Sequence, residues 1–203
     1  MESNRSVEED IIRSARHVFV EKGYDGATMR EIAAGAGINI SMLHYYFRSK
    51  DNMFDIVFED VFRRMYGKIF EAIADDKDIF EKISAIVGLY VDTLVAEPRL
   101  PNFIFNEVTQ RPDRSGRFAG YKEYVQQYTR SFQKQLDRAA DEGRIRRVSV
   151  MELIVDIESL CVYPFLTGPL WQKVFDVSPE DFIRMVENKK EIFTRNIIKS
   201  LER

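Results

Sequence analysis

Apolar residues recur along this chain at intervals of three and four, the spacing of a helix that buries one face. Ile11, Ile12, Ala15, Val18 and Phe19 form the first stripe; Ser6 with Glu9 is a capping-box pair that predicts its start, and Gly23 its end. Between Thr28 and Lys50 the pattern breaks into two short pieces. Ile32, Ala33 and Ala36 share one face of the first piece, and Leu43 and Phe47 lie four apart in the second. After Ser49 two parallel rows run to about Ala74. One holds Met53, Val57, Val61, Met65 and Ile69, the other Phe54, Phe58, Phe62, Tyr66 and Phe70. So wide a stripe suits a helix packed on two sides.

Asp75 to Asp78 reads as a solvated turn, and Asp78 with Glu81 restarts a helix through Ile83, Ile86, Val87, Tyr90 and Leu94, stopped by Glu97-Pro98. Pro101 opens a short helix through Phe103, Ile104, Glu107 and Val108, and Arg111 to Gly116 reads as a loop. A further helix runs from about Ala119 to Gly143, its face made by Tyr121, Tyr124, Val125, Tyr128, Phe132, Leu136 and Ala139. Ser149 with Glu152 caps the next, carrying Leu153, Ile154, Ile157, Leu160 and Cys161; Tyr163-Pro164 and Gly168-Pro169 disturb its end. Ser178-Pro179 starts a last helix with Phe182, Val186, Phe193, Ile197 and Leu201. No strand alternation and no repeat is visible. The fold expected is all-α, with about nine helices.

Composition narrows this picture. Hydrophobic residues are 45% of the 203 and charged residues 31%, which suits a globular core under a polar surface. No apolar run reaches the length of a bilayer span, and the start, MESNRSVEED, has neither the basic nor the apolar region of a signal peptide. The single cysteine, Cys161, sits in an apolar run, reading as a small buried hydrophobe. These features fit a reducing cytoplasm. The net charge of −3 argues against coating nucleic acid by bulk charge. A specific reader needs only a local positive surface, and within Thr28–Lys50 the bases Arg30, Arg48 and Lys50 face one acid, Glu31.

The chemistry concentrates there. Thr28 with Glu31 is a capping box, Gly37 suits a left-handed turn, and Asn39 can cap the following helix. With Leu43 and Phe47 turned inward, Ser41, Met42, His44 and Tyr45 are left on other faces. This is helix-turn-helix grammar: a small-residue helix, a tight turn, and a second helix offering polar and aromatic side chains to a major groove. Elsewhere an enzyme reading finds no site. Gly35-Ala-Gly37 lacks the third glycine of a dinucleotide fingerprint, and two scattered histidines and one cysteine make neither a metal cluster nor a nucleophilic triad. No catalytic residue, metal site or cofactor is expected.

The segment resembles the DNA-binding signature of the tetracycline-repressor (TetR) family of bacterial transcriptional regulators. The match is carried by Thr28, Arg30, Ile32-Ala33, Ala36-Gly37-Ile38, Asn39, Leu43, Tyr45-Tyr46-Phe47 and Ser49-Lys50. It departs from the family at Asn39, where Ser is commoner, at Ser41, where Gly or Ala is usual, and at His44, a common Tyr position. The resemblance implies a three-helix, homeodomain-like head over residues 1–50 and a helical ligand-binding and dimerisation domain over 51–203. It implies that Thr28, Tyr46 and Lys50 hold phosphates and that Asn39, Ser41, Met42, His44 and Tyr45 lie near the groove. Arg30 would reach a base edge or a phosphate. For Tyr46, packing against the first helix is an alternative.

The family's partners follow as expectations: a palindromic duplex operator, a second copy of the chain bound through helices at about 149–163 and 179–201, and a small apolar or aromatic effector. Candidate pocket residues are the aromatics Tyr66, Tyr90, Phe103, Phe105, Tyr124, Tyr128, Phe165 and Trp171, with Asn106, Glu107, Asp156 and Glu158 as polar anchors. Aromatics at helical spacing serve equally well as plain core. Arg144, Arg146 and Arg147 stand just past a helix end, where positive charge is favoured, or form a second DNA patch. The expected function is a repressor released from its operator by the effector. A ligand-independent regulator working through a protein partner, and an all-helical enzyme or carrier, stay open beside it.

Overall fold

The computed structural model describes residues 2–74, 76–110 and 119–202, and their side chains except those of 2–6, 110 and 119–124. The expected loop at Arg111–Gly116 and the side chains of Tyr121 and Tyr124 lie outside the described residues. The described chain is helical throughout, with no strand: α1 (Glu2–Gly26), α2 (Met29–Gly35), α3 (Ile40–Tyr46), α4 (Lys50–Ala74), α5 (Ile79–Ala96), α6 (Leu100–Gln110), α7 (Ala119–Asp141), α8 (Val150–Cys161), α9 (Tyr163–Phe175), α10 (Pro179–Glu187) and α11 (Lys190–Ser200).

Most expected boundaries coincide with these helices, and the differences have local causes. α1 begins before Ser6, so that residue lies inside the helix rather than at its cap; Gly23 breaks it with φ 67°. The prolines after Cys161 do not simply disturb a helix end. Pro164 sits in the first turn of a new helix, α9, where its missing N–H costs nothing, and Pro169 lies within it. The last helix is two, because the chain turns at Asn188-Lys189 between α10 and α11. These two changes raise the count from nine to eleven.

Two compact units divide the chain. The first comprises Met1–Arg64 with Phe103–Pro112, the second Met65–Asn102 with Asp113–Arg203. The first unit extends past residue 50 because the start of α4 supplies its core. Phe54 stands edge-on to Phe19 at 4.9 Å and to Tyr24 at 5.1 Å, and it meets Phe103 at 5.6 Å. Ile11, Ala15, Ile32, Leu43, Phe47, Met53 and Val57 complete this interior. α1 is tied to α2 by the Ser14 hydroxyl, which donates to the Ile32 carbonyl at 2.8 Å. Gly35 is held close to that tie, since a Cβ there would meet Ser14 Oγ at 2.4 Å.

The second unit buries the faces of α5, α7, α8, α10 and α11: Ile83, Val87, Leu94, Phe132, Leu136, Leu153, Ile157, Val186, Ile197 and Leu201. Cys161 is among them, and burial pushes its thiol up to about 12, which leaves it an inert apolar group. One charged residue, Lys82, is wholly buried here. Its ammonium donates to the Ile73 carbonyl in the last turn of α4 at 2.8 Å and to Gln135 Oε1, and lies 5.4 Å from the Phe132 ring centre. The lysine thus caps one carbonyl that the end of α4 leaves unpaired. Arg144 pairs with Asp78, Arg146 with Glu152 and the Ser200 carbonyl, and Arg147 with Asp141. All three arginines are engaged in joining elements of the second unit.

Candidate nucleic-acid interface

The first unit builds its outer face from capped helix ends. Thr28 Oγ1 accepts from the Glu31 N–H at 3.2 Å, and the Glu31 carboxylate accepts from the Thr28 N–H at 3.2 Å, closing the capping box that starts α2. Lys22 bonds the same carboxylate at 2.6 Å. The Lys22 ammonium and the Thr28 hydroxyl hold Glu31 below its usual carboxylate range. The one acid within the Thr28–Lys50 stretch is therefore already neutralised by a partner. Gly37 turns the chain with φ 69°, the left-handed conformation expected of it. Asn39 then caps α3, its side chain accepting from the Met42 N–H at 2.8 Å.

The phase of α3 follows from one residue. Leu43 is fully buried, so at about 100° per residue Ser41 and Tyr45 fall on the opposite side and Met42 and His44 flank them. All four are exposed, with Tyr45 the extreme at 81%. Tyr46 is partly buried and meets the Tyr45 ring edge-on at 5.5 Å. Thr28, Arg30 and Asn39 are exposed as well, and so is Arg48 just past α3. Lys50 opens α4 with its ammonium 4.5 Å from the Tyr24 ring centre, and Ser49 caps that helix by accepting from the Asn52 N–H at 3.1 Å. Tyr24 in turn donates to Asp51 at 2.9 Å. The first unit thus brings all nine nominated residues onto the ends and outer faces of α2, α3 and α4. Arg48 joins them; its position beside Lys50 was visible, but the recognised pattern assigns it no role.

The nominated pocket residues separate. Tyr66, Tyr90, Tyr128 and Glu158 come together in the second unit. Tyr90 Oη donates to Glu158 Oε1 at 2.9 Å, and Tyr66 bonds the same carboxylate. Burial raises the Glu158 pKa, opposed by the two phenols, and raises both phenols in turn. Phe70, not nominated, completes the layer by stacking on Tyr128 at 5.7 Å; its place in the second aromatic row of α4 was the available signal. Phe165 is buried in the same unit, and its carbonyl accepts from Asn102. Trp171 is 40% exposed and stacks on Phe175. Phe103 belongs to the first unit's core, and Asn106 and Glu107 sit in that unit too. Asp156 is partly buried, and Phe105 is exposed.

α8 and α9 carry a second kind of surface. Met151, Val155, Tyr163, Leu170, Val174 and Phe175 are each more than half exposed. Met185 and Ile192 add to it from α10 and α11. A contiguous apolar patch on a protein surface marks an association site, and these residues are the candidates for one.

A capped second helix whose inward face is core and whose outward face is polar and aromatic, framed by bases, defines a helix-turn-helix DNA-binding regulator. Comparison with known proteins adds the family. Residues 11–57 match the family described as bacterial regulatory proteins, tetR family, and residues 80–192 match the tetracyclin repressor-like C-terminal domain, which alone spans more than half of the chain. The protein belongs to the TetR family. Among curated proteins it is 24% identical over 200 residues to the probable HTH-type transcriptional regulator YttP of Bacillus subtilis, covering 96% of this chain and 95% of that one. It is 24% identical over 167 residues to the repressor KstR2 of Mycobacterium tuberculosis, covering 81% and 78%. The fold is shared with the FadR regulator of Bacillus subtilis solved with stearoyl-CoA, at TM-score 0.67, 16% identity and coverage of 96% and 100%. It is shared equally with the KstR2 structure of Mycobacterium tuberculosis, at 0.67, 17%, 96% and 94%. The protein is accordingly a DNA-binding transcriptional regulator. Its partners are those of the family: operator DNA, a second copy of itself and a small-molecule effector.

Proposed function

We propose that the protein reads a palindromic operator as a homodimer through α3 and releases it when a small apolar or aromatic effector occupies the second unit. Thr28, Tyr46 and Lys50 would hold phosphates at the starts of α2 and α4, where free amides and the helix dipole favour anions. Ser41, Met42, His44 and Tyr45 would read base edges, with Asn39 and Arg30 beside them. The observation that carries this reading is the phase of α3: Leu43 buried and Tyr45 81% exposed. Residues 1–50 would serve as the DNA-reading domain and 51–203 as the effector and dimerisation domain. One head buries too little surface to select a genomic site, so two copies would pair through α8, α10 and α11, with the exposed apolar residues of α9 included.

The effector acts only through its difference in affinity between a DNA-competent and a released conformation. α4 and α6, helices with residues in both units, are covalent routes for that shift. The FadR neighbour solved with stearoyl-CoA and the ketosteroid regulator KstR2 support an effector that is largely apolar. The protein would work in the cytoplasm and would not be an enzyme. Its relatives are regulators, and no helix among the described residues is long and apolar enough to cross a membrane.

Selection from a pool of random duplex DNA at fixed moderate salt tests the reading. Recovery of a two-fold symmetric site is expected, and its enrichment should vanish for Tyr45→Ala with the fold retained. No enrichment by folded wild type would overturn it. With the operator in hand, candidate effectors are screened by the loss of operator affinity they cause.

A further inference from the structure

Four helices of the second unit meet in one cluster, in which two phenols bond the Glu158 carboxylate and Phe70 links Tyr66 to Tyr128. Tyr66 and Phe70 come from α4, Tyr90 from α5, Tyr128 from α7 and Glu158 from α8. The Tyr66 and Tyr90 rings meet edge-on at 6.2 Å, Tyr66 and Phe70 are 6.1 Å apart, and Phe70 stacks on Tyr128 at 5.7 Å. Tyr90 and Phe70 are buried, while Tyr66, Tyr128 and Glu158 keep part of their surface accessible. The part of this cluster that stays accessible is therefore two tyrosine side chains and a carboxylate.

The bonding inventory decides what that molecule carries. An ionised carboxylate offers about four lone-pair positions. The Tyr90 and Tyr66 hydroxyls fill two of those on Glu158. Both phenolic protons are thereby spent and offer no donor to an incoming anion. Among the described residues no lysine, arginine or histidine pairs with Glu158. The buried ammonium of the same unit, Lys82, is committed to Ile73 and Gln135. A carboxylate drawn out of water without a cation is penalised. The raised Glu158 pKa, with burial as its largest cause, is the mark of that penalty. Ring faces carry the same demand, since their quadrupoles attract positive charge.

We propose that this site takes an organic cation, an ammonium-type group held at the Glu158 carboxylate between the rings of Tyr66, Phe70, Tyr90 and Tyr128. The assignment rests on the effector reading above and gives that effector a charge. A free fatty-acid carboxylate meets like charge here. A neutral alcohol gains one hydrogen bond but no ion pair. An amine or quaternary ammonium on an apolar body satisfies both the carboxylate and the rings.

The test is calorimetric titration of the full-length protein with three probes of equal chain length below their micelle concentrations: decyltrimethylammonium, decanol and decanoate. The cation is expected to bind tightest. Glu158→Gln, which keeps shape and removes charge, should weaken it about tenfold or more and leave decanol unchanged. Tyr128→Leu, which removes a ring and leaves the carboxylate, should weaken the cation several-fold. Glu158→Asp serves if the glutamine variant does not fold, with a smaller loss expected. The proposal is overturned if decanol or decanoate binds wild type more tightly than the cation, or if the folded Glu158 variants keep full cation affinity. In that case a decanol or decanoate that lowers operator affinity leaves the effector reading standing. If no probe binds, the cation is excluded, and the effector reading is judged separately by the operator screen.

Discussion

The two units solve opposite problems with the same element. In the first, helix starts and one turn are fixed locally: Thr28 caps α2, Gly37 turns, Asn39 caps α3 and Ser49 caps α4. Ser41 and His44 of α3 face outward, and the core is a knot of rings around Phe54. In the second, long helices turn polar groups inward, with Lys82 wholly buried and Glu158 bridged by two phenols. A surface that must match a duplex of fixed shape calls for a rigid backbone at known places. A site that must enclose a molecule calls for groups gathered from distant parts of the chain.

That contrast can be broken by substitution. The largest effect is expected from Phe54→Ala, which empties the centre of the first unit's ring cluster and should cost about 3–5 kcal/mol. Urea unfolding checks the cost, and operator binding should be lost with it. Gly37→Ala comes next. A Cβ there has open space, so the whole penalty is backbone strain at positive φ, about 1–2 kcal/mol by thermal melting. A fall no larger than that of an ordinary surface change would mean the turn relaxes. Asn39→Ala removes the α3 cap and should cost about 1 kcal/mol, while Asn39→Ser, which keeps a capping oxygen, should cost far less.

How much of this was legible follows the same divide. Caps, the glycine turn and the phase of α3 are local, set within four residues of each other, and the pattern from Thr28 to Lys50 contained them all. The meeting of Tyr66, Tyr90, Tyr128 and Glu158 depends on packing between residues up to 92 positions apart in the sequence numbering, since Tyr66 lies on α4 and Glu158 on α8. Candidates could be named from their type, but nothing local could separate Tyr66 from Phe103, whose ring joins the other unit's core. The α9 helix was missed for a different reason. Its two prolines are helix breakers by type, and only their placement made Pro164 a helix starter.

Two smaller effects sharpen the comparison. The Glu158 pKa is raised in the folded protein, so the folded state binds that proton more tightly than the unfolded chain. Stability should therefore decline as pH rises from the ordinary carboxylate range through the raised value, then level off. Glu158→Gln should flatten that part of the profile in thermal melts across pH. Last, Tyr45→Ala should change stability by no more than about 0.5 kcal/mol, because an exposed side chain is removed. If it melts much lower, Tyr45 is structural and its outward pose misleads.

The burial of Lys82 gives the second unit a chemical clock. An exposed lysine is open to an amine-selective reagent, but this one is screened and bonded to Ile73 and Gln135. It can be modified only when the end of α4, α5 and α7 part. The rate at which reagent reaches Lys82, followed by peptide mass spectrometry, is therefore a direct count of how often that interior opens, and a bound effector that closes it will slow the count.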